Sequence, residues 1–150
     1  MSINSWNIRW MEMAKNFSEW SKDKSTKVGA VIVDDNNRIV SQGYNGFCEG
    51  VDDEIESRHE RDGDRKYLWT EHAERNAIFT AARAGRSVNG CRIYATWFPC
   101  CDCARAIIQT GIKEVITYEP NLEHHKYGES FRTSLEMFIA VGIIVTYLKR

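Results

Sequence analysis

The sequence predicts a three-layer α/β/α sandwich, a single domain over residues 1–150 in which a mixed sheet of about five strands lies between helices. Strand-like and helix-like segments alternate through the second half of the chain, which favours parallel strands joined by crossover helices. Two strand-like segments joined by a short polar turn indicate that an antiparallel hairpin opens the sheet. The 150 residues and 43% hydrophobic content suit one domain with a full core.

The first half of the chain predicts a helix, a hairpin and a long connection. Residues 5–20 space large apolar side chains among polar ones, as an amphipathic helix does. The β-branched run 28–34 and the segment 38–44, separated by Asp-Asn-Asn, predict the two hairpin strands. Residues 45–71 are polar and contain several glycines, which indicates a long loop of the kind that is usually functional or mobile.

The second half predicts three helices and three strands in alternation. Gly85 and Gly111 mark the ends of the first two helices, because glycine readily adopts the backbone conformation that closes a helix. In chain order the predicted elements are helix 72–84, strand 91–97, helix 101–110, strand 114–118, helix 130–140 and strand 143–148.

Charge, hydropathy and cysteine content restrict the class of protein. The net charge is -1, from 20 basic and 21 acidic side chains, whereas proteins that hold long nucleic acids usually carry a basic excess. No apolar run approaches the roughly 20 residues of a membrane span, and the first 15 residues do not resemble a secretory signal. Five cysteines, three of them within four positions, favour a metal site over a disulfide framework. We therefore expect a cytoplasmic protein without a membrane or nucleic-acid partner.

Two short motifs, HAE at residues 72–74 and PCCDC at residues 99–103, carry the chemistry. Cys100 and Cys103 stand three positions apart at the start of a helix, so both thiolates lie on one face and can hold one ion. His72 begins the other helix and completes three ligands, which leaves zinc a fourth position for water, as catalytic sites do. Zinc lowers the pKa of that water from 15.7 to about 7. The expected cofactor is one catalytic Zn²⁺ per chain.

Glu74, the acidic residue of the first motif, is the predicted proton carrier between the water, the substrate ring nitrogen and the departing amine. Each motif alone has other interpretations, because CxxC also occurs in redox pairs and in structural zinc sites. A structural site needs a fourth ligand, for which the candidates are Cys48, His59, Cys91, His124 and His125. The two motifs together, each at a predicted helix start, match the signature of zinc deaminases. Cys101 is predicted to be a packed thiol and not a ligand.

These motifs and several other segments resemble the cytidine deaminase superfamily, and within it the deoxycytidylate (dCMP) deaminases. The resemblance covers about residues 22–145. GYNG, the asparagine at position 76 and the insertion before residue 72 are similar to the dCMP branch. The matching segments are SKD at 21–23, VGAVIV at 28–33, GYNG at 43–46, HAERNAI at 72–78, FPCxxCA at 98–104 and IQTGIKEV at 108–115.

The resemblance implies a cytidine deaminase-like fold and the hydrolysis of dCMP to dUMP and ammonia, which supplies dUMP for thymidylate synthesis. Asn45 resembles the asparagine that binds the sugar near its 3′-hydroxyl. The backbone of Ala73 is similar to the group that contacts the pyrimidine carbonyl. The residues expected near the 5′-phosphate are Ser25, Thr26, Lys27 and Tyr118.

The resemblance also implies a homo-oligomer, typically a hexamer, that is activated by dCTP and inhibited by dTTP. The predicted effector site is the loop after the second strand, where Gly50 allows close backbone approach and Asp52, Asp53 and Glu54 are candidate ligands for Mg²⁺ on the triphosphate. Cys48 departs from the family pattern, which commonly has proline at this position. The cysteines that would hold a second, structural zinc of some relatives are absent, although His59 with Cys48 offers a different pair.

Other functions remain open from the sequence. The alternatives are a deaminase of free cytosine, of cytidine or of adenosine in transfer RNA, and a catalytically silent zinc domain that binds partners. The intact Glu74 favours an enzyme over a silent domain. A polynucleotide substrate requires a basic track, for which the candidates are Arg75, Arg83, Arg86, Arg92 and Arg105. The segment EHHKY at 123–127 has no predicted role.

Overall fold

Within the described residues, the fold consists of seven strands and five α-helices. The computed structural model describes residues 3–150, with side chains described from residue 5 onward. In chain order the strands are β1 (Gly29–Val33), β2 (Ile39–Tyr44), β3 (Gly46–Phe47), β4 (Thr70–Glu71), β5 (Arg92–Ala95), β6 (Glu114–Tyr118) and β7 (Ile144–Leu148). The helices are α1 (Ile3–Ser18), α2 (Arg65–Trp69), α3 (Ala73–Arg83), α4 (Cys101–Gln109) and α5 (Gly128–Val141). Within residues 3–150, no helix is long and apolar enough to cross a membrane.

Five of the strands form one mixed sheet in the order β2-β1-β5-β6-β7. β1 is antiparallel to both of its neighbours, and β5, β6 and β7 are parallel to one another. A bulge between Ile32 and Val33 interrupts the β1–β2 register. The predicted hairpin, the predicted parallel pairing and the predicted number of strands are confirmed.

Helices cover both faces of the sheet, which confirms the predicted three-layer sandwich. The connections β2–α3–β5, β5–α4–β6 and β6–α5–β7 each join parallel strands and each advance in the same direction, so right-handed crossovers place all three helices on one face. Ala77, Ile107 and Phe138 from these helices meet in the larger core cluster. Met11 and Ala14 of α1 pack against the opposite face.

α3 lies unusually close to β2, and Gly43 makes this approach possible. A Cβ atom at Gly43 would lie 2.4 Å from the carbonyl oxygen of Ala73 and 2.4 Å from the backbone nitrogen of Ala77. Real side chains do not tolerate such distances to backbone atoms, so only glycine fits here. The contact holds the first turn of α3, which carries the HAE motif, beside the end of β2.

Residues 46–71, called the inserted segment below, are more ordered than the predicted long loop. The expectation of a loop over 45–71 was wrong in part, because the segment contains β3, two single-turn 3₁₀ helices, α2 and β4. β3 and β4 pair antiparallel and close the two ends of the segment. Elements of two to five residues are too short to produce a recognisable hydrophobic period, which is why sequence patterns do not reveal them.

Candidate active site

Three side chains at the N-termini of two helices converge on one point. His72 is the N-cap residue of α3, Cys100 is the N-cap residue of α4, and Cys103 lies in the first turn of α4. His72 Nδ1 is 3.3 Å from Cys100 Sγ and 3.5 Å from Cys103 Sγ. Nitrogen and sulfur ligands of a tetrahedral zinc ion are about 3.5 Å apart, so these residues fit zinc. Among the residues that the structure describes, no other group of three His, Cys, Asp or Glu side chains meets in this way.

Both helices begin with a metal-ligand residue where a capping residue normally stands. Neither His72 nor Cys100 makes a side-chain capping hydrogen bond, although Ser, Thr, Asp and Asn are preferred at this position. Ser130 of α5 accepts a hydrogen bond from the backbone N–H of Cys101 at 2.9 Å. The other first-turn N–H groups have no intrahelical acceptor and, with the helix dipoles, favour negative charge at the metal site.

The three ligand side chains share protons. The hydrogen bond from Cys103, together with the contact with His72, lowers the pKa of Cys100 to about 4. The hydrogen bond with Cys100 raises the pKa of His72 to about 9. The pKa of Cys103 is raised by its hydrogen bond to Cys100, by burial and by the charge of Glu74. Zinc displaces these protons when it binds, so zinc affinity depends on pH.

Glu74 is the buried acid of the site. It is the second residue of α3, its exposed fraction is 4%, and its Oε2 lies 3.5 Å from Cys103 Sγ. Burial, and secondly the negative charge of Cys100, raise its pKa above the ordinary value for glutamate. A carboxyl group with a raised pKa can both accept and return a proton near neutral pH, which suits a general acid–base catalyst.

His72, Cys100 and Glu74 line a pocket with a volume of about 140 Å³, called the catalytic pocket below, and Cys103 is fully buried next to them. It adjoins a polar cleft of about 170 Å³, with which it shares Asp23, Arg61 and Lys66. Its apolar wall is aromatic and consists of Tyr67, Trp97, Phe98, Tyr127 and Phe131. The pocket therefore combines a metal site and a buried acid with an aromatic wall and two cationic side chains.

Some of the predicted substrate-binding residues lie in the catalytic pocket. Thr26, Asn45 and Ala73 line it. Ser25 lines the adjoining polar cleft. The exposed fraction of Asn45 is 7%, and its side chain is held by the backbone N–H of Val28 and the carbonyl oxygen of Thr26, both at 2.8 Å.

Two predicted phosphate-binding residues, Lys27 and Tyr118, line neither the catalytic pocket nor the polar cleft. The Lys27 ammonium lies at the surface, 3.7 Å from a carboxylate oxygen of Glu19. Tyr118 packs with Ile116 in the core cluster beneath α1, on the opposite face of the sheet. Alternate residues of a strand face the same side, so Tyr118 follows Ile116 to the α1 face and away from the zinc ligands.

The predicted effector loop lies on a second, larger cavity of about 440 Å³. Gly50, whose φ is +86°, and Asp53 line this cavity. Asp53 also forms an ion pair with Lys22 at 2.9 Å. Asp52 and Glu54 are exposed, and the Asp52 side chain accepts a hydrogen bond from the backbone N–H of Glu54. Within the part of the chain that the structure describes, these acids do not meet as a three-residue metal site.

Cys48 and His59, the pair considered as ligands of a different metal site, are found in other surroundings. His59 stacks on Phe47 with ring centroids 4.6 Å apart, and its Nε2 lies 2.6 Å from the carbonyl oxygen of Asp53. Cys48 is an exposed free thiol. His59 therefore makes its contacts within the inserted segment.

Sequence reasoning did not identify five residues that line the catalytic pocket as functional: Asp23, Arg61, Lys66, Tyr67 and Tyr127. Asp23 precedes Ser25 and Thr26 in a pattern typical of a side-chain-closed turn, which is a usable signal. Tyr127 belongs to the segment without a predicted role, and Lys126 beside it donates a hydrogen bond to the hydroxyl of Tyr67 at 2.5 Å. Contacts of this kind join residues that are far apart in the sequence, so no local sequence pattern reveals them.

The five arginines considered as a basic track all have partners within the chain. Three pair with carboxylates, namely Arg75 with Glu71, Arg83 with Glu49 and Arg105 with Asp102. The other two donate hydrogen bonds to backbone carbonyl oxygens, Arg86 to Val40 and Arg92 to Asp34. This pairing reduces the positive charge available to a polynucleotide backbone.

A family model and the similar proteins found by sequence comparison all describe deaminases. Residues 4–119 match the family described as the cytidine and deoxycytidylate deaminase zinc-binding region. The chain is 46% identical to an uncharacterized deaminase in the luxG 3′ region of Aliivibrio fischeri, over 97% of this chain and 95% of that protein. It is 44% identical to mouse deoxycytidylate deaminase, over 96% of this chain and 79% of the mouse protein.

A similar solved structure is also that of a dCMP deaminase. The fold superimposes on the dCMP deaminase of cyanophage S-TIM5, crystallised with dCMP and dUMP, with a TM-score of 0.78 and 27% identity over 99% of both chains. The family match spans the elements that carry His72, Glu74, Cys100 and Cys103. The chain therefore belongs to the family of zinc-binding cytidine and deoxycytidylate deaminases.

Proposed function

We propose that this protein is a zinc-dependent dCMP deaminase that hydrolyses dCMP to dUMP and ammonia. The observation that carries the proposal is the catalytic pocket, in which His72, Cys100 and the buried Glu74 share one cavity with Asn45 and two cationic side chains, with Cys103 next to His72 and Cys100. Relatives named as deoxycytidylate deaminases and the cyanophage enzyme crystallised with dCMP and dUMP support this substrate.

The protein's own residues divide the chemistry between them. His72, Cys100 and Cys103 would hold zinc, which, when bound with an open position, activates water for attack at neutral pH. Glu74 accepts a proton from the attacking water and passes it to the ring nitrogen of cytosine. It then takes the second proton from the hydroxyl group added to the ring carbon and delivers it to the amino group, which leaves as ammonia as the carbonyl forms. Its burial and raised pKa suit a group that is protonated in one step and ionised in the next.

The remaining pocket residues orient the nucleotide. As the first residue of α3, Ala73 has a backbone N–H without an intrahelical acceptor, and we assign it to the pyrimidine carbonyl. Asn45 Oδ1 accepts one protein hydrogen bond and keeps a second acceptor site for a sugar hydroxyl. Trp97 and Tyr127, whose rings meet edge to face at 6.1 Å, form a wall against which the base can pack.

We assign the 5′-phosphate to the side of the pocket that carries Arg61 and Thr26. Arg61 is exposed, and no ion pair or hydrogen bond of its guanidinium is found within the described residues. The Lys66 ammonium, by contrast, already forms an ion pair with Asp23 at 2.5 Å. A guanidinium with free donors pairs well with phosphate oxygens. Arg61 thus replaces Lys27 and Tyr118 as the phosphate-binding candidate.

Comparison of dCMP with deoxycytidine tests the proposed substrate. The catalytic efficiency kcat/KM of the wild-type protein, followed by ammonia release, should be at least about 100-fold higher for dCMP, because an absent phosphate leaves its binding groups unpaired. Arg61→Met should lower kcat/KM for dCMP by at least about tenfold and leave that for deoxycytidine nearly unchanged. The matched control is Arg65→Met, which removes another exposed arginine of the inserted segment that does not line the pocket. Preference for the nucleoside, transfer RNA or single-stranded DNA would contradict the proposal.

We further propose that the enzyme is a cytoplasmic homo-oligomer, a hexamer, under triphosphate control. The free state of all five cysteines suits a reducing compartment. Large exposed apolar side chains, including Leu68 at 82%, Ile139 at 70% and Phe79 at 53%, support burial against further subunits. The 440 Å³ cavity lined by Gly50 and Asp53 is large enough to be considered as the effector site.

Initial rates against dCMP test this control. The rates should depend sigmoidally on dCMP alone and become hyperbolic with dCTP and Mg²⁺, while dTTP should inhibit, because effectors act by favouring one of two states. Sedimentation of the same preparation reports whether the hexamer forms. Hyperbolic rates that neither triphosphate changes would show that the enzyme lacks this control.

A further inference from the structure

A buried ion pair joins the inserted segment to the loop that precedes β1. Lys66 Nζ lies 2.5 Å from Asp23 Oδ2, and the two side chains are 10% and 5% exposed. Three other ion pairs join the same parts of the chain, Lys22 with Asp53, Lys22 with Glu54 and Lys24 with Glu56, but their side chains are much more exposed. Across the described residues, no other ion pair is this deeply buried. Both members also line the catalytic pocket.

Asp23 is the centre of a hydrogen-bond network that shapes the pocket. Its Oδ1 accepts hydrogen bonds from the backbone N–H groups of Ser25 and Thr26 at 2.8 and 3.0 Å. Its Oδ2 accepts a longer hydrogen bond from Asn45 Nδ2 at 3.5 Å. Asn45 in turn donates to the carbonyl oxygen of Thr26. One carboxylate therefore fixes the turn that carries Thr26, and it supports the orientation of the Asn45 amide mainly through the Thr26 carbonyl oxygen and secondly through its own longer contact.

Lys66 keeps this carboxylate ionised inside the protein. Burial acts to raise the pKa of Asp23, but the hydrogen bond from Lys66 and those from Thr26 and Ser25 lower it to about 2. Lys66 also donates a hydrogen bond to Ser25 Oγ at 2.9 Å, so it holds two points of the same turn. Removing the cation from a buried carboxylate strongly destabilises the folded protein. Movement of the carboxylate toward water reduces this cost.

We propose that the Asp23–Lys66 pair is a positioning device that sets Asn45 and the Thr26 turn for substrate binding, and that Lys66 itself does not bind substrate. The pair connects the inserted segment to the Asp23 network, because Lys66 of that segment contacts both Asp23 and Ser25. Loss of the ammonium releases Asp23, and with it the Asn45 amide that faces the sugar. The inference rests on the proposed deaminase function.

Lys66→Met tests the device through a split between KM and kcat. KM for dCMP should rise at least about tenfold while kcat changes less than about threefold, because the lost interaction orients the substrate and does not take part in the proton transfers. Zinc content should stay at that of the wild type. Lys66→Arg, which keeps the charge, should restore most of the affinity. Glu56→Gln is the matched control: it breaks the exposed pair with Lys24 between the same two segments and should leave KM unchanged.

The comparison of two substrates separates positioning from direct contact. If Lys66 acts through Asn45, kcat/KM should fall for deoxycytidine as well as for dCMP, since both carry the sugar, and the loss for dCMP should be the larger because the Thr26 turn also lies on the side assigned to the phosphate. A loss confined to dCMP would overturn the proposal and make Lys66 a phosphate ligand. If Lys66→Met does not fold, Lys66→Gln, which keeps a hydrogen-bond donor without the charge, carries the same comparison.

An Asn45 double mutant tests the route of the effect. Lys66→Met combined with Asn45→Ala should lose clearly less than the sum of the two single losses, because residues that act through one another are not additive. Additive losses would overturn the proposal, as would wild-type constants in Lys66→Met. A wild-type protein that deaminates neither dCMP nor deoxycytidine would instead refute the proposed function, so the two failures are distinguishable.

Discussion

Glu74→Gln should lower kcat for dCMP by at least about 10³-fold while the protein keeps its fold and its zinc. The amide has nearly the shape of the carboxyl group but cannot accept and return a proton, and a general acid–base catalyst contributes about 10²–10⁴-fold to each transfer. Glu74 is the candidate because it is 4% exposed and lies in the same cavity as His72 and Cys100. Ammonia release under single-turnover conditions, together with metal analysis, measures both quantities.

Asp102→Asn is the matched control for Glu74→Gln. Asp102 stands in the first turn of α4, between the two cysteine ligands in sequence, but its side chain is exposed and pairs with Arg105. The same carboxyl-to-amide change at this position should leave kcat within about threefold of the wild type, because surface ion pairs contribute little. A Glu74→Gln protein with substantial turnover would exclude Glu74 as the proton carrier.

His72→Ala and Cys100→Ala should each reduce bound zinc from about one ion per chain to a small fraction of that and abolish deaminase activity. Each variant removes one of the three ligand atoms that lie within 4.8 Å of one another. Two ligands hold zinc far more weakly than three, and metal binding also contributes to the stability of the folded state. Elemental analysis after dialysis gives the zinc content, and thermal unfolding should show a lower midpoint than in the wild type.

Cys101→Ser is the control for the ligand assignment. Cys101 is flanked by the second motif's ligands in sequence, but it is the first residue of α4 and is not part of the converging group. The serine variant should keep both zinc and activity. Loss of zinc in this variant, with zinc retained in Cys100→Ala, would show that the adjacent thiol is the true ligand.

The sequence by itself determined the features that depend on local spacing. The hairpin 28–44 was predicted from β-branched runs around a polar turn, and β6 was predicted at its observed bounds. The metal-ligand residues were predictable because Cys100 and Cys103 are separated by less than one helical turn and because His72 begins the other helix. Helix periodicity fixes these relations within a few residues, so no knowledge of the rest of the fold is needed.

Only the tertiary structure decided which distant side chains share the pocket. Asp23 and Lys66 are 43 positions apart in the numbering and meet only because the inserted segment folds back over the loop before β1. Tyr118 does not reach the pocket, because its side chain lies on the opposite face of the sheet. Side-chain direction and long-range contacts arise from packing of the whole chain, and local sequence patterns carry no record of them. The chemistry of the site was therefore predictable from its motifs, whereas substrate positioning depended on the fold.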